Sequence, residues 1–391
     1  MLKLFGHGAR RLLALHGISN SIRYYSSSPL RSKLSSSSSS SSHLVVEYLI
    51  KSLEFSRDEA ISAAKKLRCF KSNANPDSVL EMLKRNGFDD AQIKEIVASS
   101  PRILSMNADK TLAPKIRVLR ELGLTNPELV KIRALKVGIM RSGLRSAILP
   151  AIKTIRSILG SDENVAKVIK RSVSVLGNRK YLEQNIQLLR SRGMNDGRIG
   201  KLMVLSPRVF CCSTKWLERT VNRVESMLGF DGDSAMFVFG IFALQSVTDE
   251  KFESKFGIFK SYGWDENDIM IMARGNPIIF TVSDAKIKRG LHFFMEELGY
   301  DPRFLAEHPS LLMFSMERRI RPRIAVLQVL KDKKLIKESH NIYAAISKKE
   351  SEFMHKFIEP YKLLVPYIYD VYSNNMRAPA KAVLSRSSFR F

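Results

Sequence analysis

Along this chain a glycine followed by a large apolar residue recurs at a nearly fixed period, and few folds accommodate such a period. The pair stands at Gly87-Phe88, Gly123-Leu124, Gly193-Met194, Gly229-Phe230, Gly263-Trp264 and Gly299-Tyr300. The intervals are 36, 70, 36, 34 and 36 residues, one or two copies of a single unit. Glycine enters the left-handed conformation just past a helix C-terminus without steric cost, and the next apolar residue packs back on the last turn. Each pair therefore predicts a helix stop, and the series predicts a repeat array.

A second marker falls inside each unit. Proline leads an apolar run at Pro101-Arg102-Ile103-Leu104, Pro207-Arg208-Val209-Phe210, Pro277-Ile278-Ile279-Phe280 and Pro309-Ser310-Leu311-Leu312. The first three lie 13 residues after Phe88, Met194 and Trp264. Between the markers, Ile93, Ile96 and Val97, and again Ile199, Leu202 and Met203, show the spacing of one buried helix face. Asp89 with Gln92 resembles a capping box. Proline ends this first helix because it lacks an amide hydrogen and clashes with the preceding turn. A second helix, often opening with proline (Pro114, Pro150, Pro322), runs to the next glycine. One such unit cannot bury both faces alone, so neighbours must stack. The expectation is an all-α helical-repeat solenoid of roughly eight units between His43 and Tyr372. Three copies are degenerate: Val137 replaces a proline, Gly160 precedes Ser161, and the copy from Phe237 to Gly263 lacks its central proline.

Charge narrows the partners. Lys and Arg number 64 against 38 Asp and Glu, a formal net charge of +26. Such an excess points to a polyanion, nucleic acid or an anionic surface. Residues 1–42 hold Lys3, Arg10, Arg11, Arg23, Arg31 and Lys33, no acid, and a serine run from Ser35 to Ser42. This is the composition of an organellar transit peptide. The paired arginines and the Arg23-Tyr24-Tyr25-Ser26-Ser27 context favour mitochondria, with the chloroplast as the alternative. Without the leader's six cations the charge is still +20. The expected organisation is a disordered leader over 1–42, the repeat array over 43–372 and a basic, disordered tail over 373–391. No apolar run reaches the 18 residues that a membrane helix needs. Cys69, Cys211 and Cys212 form neither a disulfide framework nor a zinc-site spacing.

No catalytic motif emerges. Gly138-Ile139-Met140-Arg141-Ser142-Gly143 has the glycine spacing of a phosphate loop, but Leu144 stands where the lysine must be. There is no Gly-x-Ser-x-Gly and no His-Glu-x-x-His. The expectation is a binding protein without cofactor or metal. Candidate contacts are cations that recur at one repeat phase. Arg120, Arg156, Arg190 and Lys260 stand near the end of successive second helices, with Arg117, Lys153 and Arg223 about one turn earlier. Arg318, Arg319, Arg321 and Arg323 crowd the last full repeat. In a stacked array such columns form a stripe able to follow a phosphate backbone. The aromatics Phe237, Phe239, Phe242, Phe293 and Phe294 fall at core spacing.

Pro-x-Leu-Leu in mid-repeat with Gly-apolar at its end resembles the mitochondrial transcription termination factor (mTERF) repeat. The resemblance runs from about residue 44 to 372 and is closest to the plant organellar branch. It is carried by Asn75 to Leu80 with Asn86-Gly87-Phe88, by Phe259 to Trp264, by Leu298 to Tyr300, Arg318 to Arg323 and Leu327 to Leu330, and by Phe353 to Tyr372 with Pro366. The resemblance implies a left-handed superhelix whose basic concave groove holds double-stranded nucleic acid. It implies a monomeric regulator of organellar transcription, often of termination. Intron splicing or ribosomal RNA maturation is the alternative within the family. A helical protein-binding scaffold is the alternative of another class.

Overall fold

The computed structural model describes residues 38–67, 74–132, 137–337 and 341–377. Among these residues there is no strand. The leader expected over 1–42 lies mostly outside them, although the first helix, Ser38–Leu53, starts within the serine run. At the other end the helix Ile368–Arg377 continues into the stretch read as tail. Residues 378–391 lie outside the described residues.

Every predicted stop is a helix end in the left-handed region, with φ from 66° to 83° at Gly87, Gly123, Gly193, Gly229, Gly263 and Gly299, and 74° at the degenerate Gly160. The following apolar residue donates its amide back across the turn: Phe88 to Leu83, Leu124 to Leu119, Met194 to Leu189 and Trp264 to Phe259, at 3.1–3.3 Å. This bond satisfies a carbonyl that the helix end leaves open. Two further stops use no glycine. Glu54 and Lys334 take φ of 51° and 56°, and Phe55 and Leu335 follow as the packing residues. They extend the same period to both ends of the array.

The mid-repeat prolines each open a short 3-10 turn: Pro101–Ser105, Pro207–Cys211, Pro277–Thr281 and Pro309–Met313. Val173–Leu176 makes the same turn without proline. The second helices differ from the sequence reading. They do not begin at Pro114, Pro150 and Pro322. They start earlier with a wide π-turn, at Ala108–Leu112, Leu144–Ile148 and Met316–Ile320, and run on through the proline. The residue before each proline bonds five residues back, Ala113 to Ala108, Leu149 to Leu144 and Arg321 to Met316. The widened turn moves the carbonyl that a proline ring would otherwise strike.

The units stack in three layers. First helices pack on first helices, as Asp162–Arg171 on Asp196–Leu205 and Glu266–Gly275 on Pro302–Glu307. The 3-10 turns stack on one another, Val173–Leu176 on Pro207–Cys211 and Pro277–Thr281 on Pro309–Met313. Second helices form the third layer, with Arg179–Ser191 between Leu149–Leu159 and Thr214–Arg223. One apolar core runs the length of the array, from Val45 to Tyr372, and includes Phe237, Phe293 and Phe294.

Side chains from one unit latch the next. Each reaches 21–31 residues along the chain to carbonyls in the following unit. Asn75 donates to Leu104 and Met106, Lys115 to Met140, and Asn185 to Val209 and Cys212. Lys255 donates to Val282 and Lys286 to Met313. Burial holds the amines of Lys115 and Lys286 below the usual lysine range.

Candidate nucleic-acid interface

The cations predicted from repeat phase divide into three groups. Arg120, Arg156 and Arg190 are bridges across the helix stop. Each reaches a residue six further on, at the start of the next helix. Arg156 Nε meets Asp162 Oδ1 at 2.6 Å, and Arg190 grips Asp196 through two bonds of 2.9 and 3.0 Å. The bond to Asp196 raises the Arg190 pKa. Arg120 bonds Asn126 at 2.6 and 3.1 Å and the Asn86 carbonyl beside the preceding stop. Lys84 does the same with Asp90 at 2.9 Å, a member of the series that sequence reading missed. Lys260, at the same phase, is exposed and has no ion pair among the described residues.

The second group is turned inward. Arg223 donates to the carbonyls of Leu244 and Val247 at 3.1 and 3.0 Å and pairs with Asp249 at 2.7 Å, so it is another latch. Arg321 is half-buried over the Phe293 ring and pairs with Glu297 at 3.4 Å. Arg323 corrects the sequence reading most sharply. It is 0% exposed, donates to the carbonyls of Ala345, Ile346 and Lys348, and pairs with Glu350 at 2.9 Å while lying over Phe353. A guanidinium so enclosed reaches no phosphate.

The third group faces solvent. Arg117, Lys153 and Arg318 are exposed, with no ion pair or side-chain hydrogen bond among the described residues. Arg319 lies over Phe314, 4.7 Å from its ring centre. Arg318 also belongs to a column that sequence reading did not assemble. Seven successive second helices begin at Asn107, Gly143, Asn178, Ser213, Thr248, Ser283 and Ser315 as N-caps. Two or three residues on stand Lys110, Arg145, Lys180, Lys215, Lys251, Lys286 and Arg318. All but Lys286 are exposed. The signal was available as a cap residue followed at a fixed short distance by Lys or Arg, but only the three-layer stacking places these termini along one edge.

This edge runs against helix electrostatics. Free amides and the macrodipole make a helix N-terminus positive, so cations there are unfavourable by typically 0.3–1 kcal/mol each. The first helices of five of the same seven units obey the rule and open on acids: Asp90, Glu128, Asp162 and Glu163, Asp196, and Glu266 with Asp268. Along the second-helix edge the acids Asp109, Asp249 and Asp284 are engaged by Arg85, Arg223 and Lys255, while Glu250 and Glu317 stand beside Lys251 and Arg318. The surplus is a line of lysines and arginines beside unsatisfied amides, the arrangement that attracts a polyanion. Among the described residues no group of His, Cys, Asp and Glu is placed to hold a metal ion, and no helix is long and apolar enough to cross a membrane.

Comparison with known proteins places this geometry in a family. The sequence profile of the mTERF family matches residues 45–181 and 138–354. The chain is also similar to the transcription termination factor MTERF8, chloroplastic, of Arabidopsis thaliana, at 20% identity over 231 residues. That match spans 58% of this chain and 46% of the relative, so the chain spans about half the length of the curated relative it matches.

Proposed function

Because the chain belongs to the mTERF family, we propose that it is an organellar nucleic-acid-binding protein that regulates gene expression by holding double-stranded DNA. The observation that carries this reading is the sevenfold recurrence of a cation at the second-helix N-terminus, against the helix dipole. Phosphate contacts position a duplex without reading its sequence. Control of transcription, termination included, follows as the function of a protein that stays on the template. The protein acts as a monomer and without chemistry of its own. Its acid-free leader directs it to mitochondria. The chloroplast is the second reading, favoured by the address in the name of the Arabidopsis relative.

Duplex binding tests the proposal. If the six exposed edge cations each meet a phosphate, log affinity falls with log salt at a slope of about −5. An affinity insensitive to salt overturns the phosphate edge. Crosslinking and sequencing of bound nucleic acid from purified organelles separates the alternatives: DNA fragments support the proposal, and intron or ribosomal RNA replaces it with RNA maturation. Recovery of neither leaves a protein scaffold. A fusion of residues 1–42 to a fluorescent protein reads the compartment.

A further inference from the structure

The cations of the edge do not continue unchanged across the second helices. At each of six stops the glycine amide donates to one carbonyl: that of Lys84, Arg120, Arg156, Arg190, Glu225 and Lys260 in turn. This bond fixes a common phase from unit to unit. Three residues earlier stand Glu81, Arg117, Lys153, Gln187, Asn222 and Gly257, all exposed. The column therefore changes character along the array: an acid, two cations, two amides and a bare backbone.

Each amide shares a helix face with an edge cation. Lys180, Gln184 and Gln187 follow at i, i+4 and i+7 along the helix Arg179–Ser191. Lys215, Arg219 and Asn222 do the same along Thr214–Arg223. All six are exposed. The side-chain oxygen of Gln184 accepts from the Thr214 hydroxyl at 3.3 Å, a contact with the next unit. Gln187 and Asn222 make no hydrogen bond among the described residues. The carboxylates one turn away from them are engaged: Glu183 by Arg179 at 2.8 Å, and Glu218 and Glu225 by Arg192 at 3.8 and 2.6 Å.

On the premise that the array holds duplex DNA, we propose that Gln187 and Asn222 read base edges in the major groove and select adenine. A cation at this phase adds affinity for any phosphate and carries no sequence information. A carboxamide presents a donor and an acceptor on one planar group, the pair that matches N6 and N7 of adenine. The neighbouring units frame the two. Arg117 and Lys153 precede them with charge, and Gly257 follows with open space, since a Cβ there would meet nothing within 4 Å. Arg179–Ser191 packs directly on Thr214–Arg223. Packed helix axes lie about 8–10 Å apart, and the duplex rises about 3.4 Å per base pair. The two adenines therefore fall about three base pairs apart.

The test is selection by the full chain from a random-sequence duplex DNA library, with sequencing of the bound fraction. Two adenine positions about three base pairs apart are expected, and changing either base weakens binding about tenfold. Gln187→Ala erases the preference at one position and Asn222→Ala at the other. Both sites are exposed and alanine favours helix, so melting is unchanged. The salt slope is unchanged as well, because neither amide is charged. Lys215→Gln, on the same face, instead weakens binding to all sequences alike and lowers the slope by about 0.9. Duplex bound without base preference, with other bases preferred, or with a pattern that either alanine substitution leaves intact overturns the proposal while the duplex reading stands. Tighter binding of the selected sequence as duplex RNA overturns it too, since side chains cannot read the deep, narrow major groove of an A-form helix. No duplex bound at any salt removes the duplex reading and this inference with it.

Discussion

Arg318 and Arg323 lie five positions apart in one basic run, and opposite outcomes are expected from replacing them. Arg323→Ala removes a guanidinium that is wholly enclosed, bonded to three carbonyls and paired with Glu350. Glu350 is half exposed, so the charge left behind is hydrated, and the loss comes from the emptied space over Phe353 and the buried carbonyls left without a donor, about 2–4 kcal/mol. The loss is local, because a stacked array unfolds unit by unit rather than in one step. The assay is urea unfolding by circular dichroism, joined to hydrogen exchange at the amides of Ile342–Ile346 and Ile368–Arg377. Those amides should lose protection while the central units keep theirs. Arg323→Met, which keeps the aliphatic stem, should lose less. Arg318→Gln should change stability by no more than about 0.5 kcal/mol, since it is exposed and the two residues have similar helix propensity. It should lower the salt slope of duplex binding by about 0.9 units. The reasoning is refuted if Arg323→Ala keeps normal protection at these amides and weakens duplex binding instead.

Other outcomes follow from the same geometry. Replacing Lys110, Arg145, Lys180 and Lys215 together by Gln should leave melting unchanged or slightly raised, because cations are removed from helix N-termini, and should flatten the salt slope by about 3.6 units; unchanged binding removes the edge as the interface. Arg190→Gln and Asp196→Asn should each cost under about 1 kcal/mol, and the double variant no more than either single one, since the pair is half exposed; a strictly additive double-mutant cycle denies the bridge. Burial pushes the Glu350 carboxyl up, but bonds from Tyr372 and Arg323 and the Arg323 charge outweigh it, so its pKa lies below the usual range. That contribution is present above the ordinary glutamate pKa and lost as pH falls through the lowered value, so acid below the ordinary glutamate range should loosen the helix Ile368–Arg377, and Glu350→Gln should remove this pH dependence. Burial, then the Glu350 bond, pushes the Tyr372 phenol up to about 12 from 10.0, so its contribution holds below pH 10 and is lost as pH rises through about 12, a loss that Tyr372→Phe should abolish.

The repeat was legible because its punctuation is chemical. Only glycine takes φ near 80° freely, and proline cannot continue a helix, so Gly87 through Gly299 and Pro101 through Pro309 announce their own geometry. Glu54 and Lys334 were not legible, since a non-glycine residue enters that region only when packing of the next side chain, here Phe55 and Leu335, offsets the strain. The interface was half legible. The columns of cations could be read, but not their partners: Arg156–Asp162 and Arg190–Asp196 span six residues across a turn, outside the three- and four-residue rules of a single helix. Nor could Arg323 be told from Arg318, because the π-turn at Met316–Ile320 shifts the helix face by a residue and breaks the count.

The latches between units have a mechanical meaning. From Asn75 onward to Arg323 each ties a unit to its neighbour, and the bond from Arg274 to the Leu228 carbonyl is a longer tie across one unit. Such a chain of joints is a set of springs in series. A small change of angle at each adds to a large change of pitch over the whole length, while no single joint leaves its bonded range. A rigid rod meets a helical polyanion only where their shapes already agree. A coil with distributed give conforms along its full length, and the strain of fitting is shared among the joints.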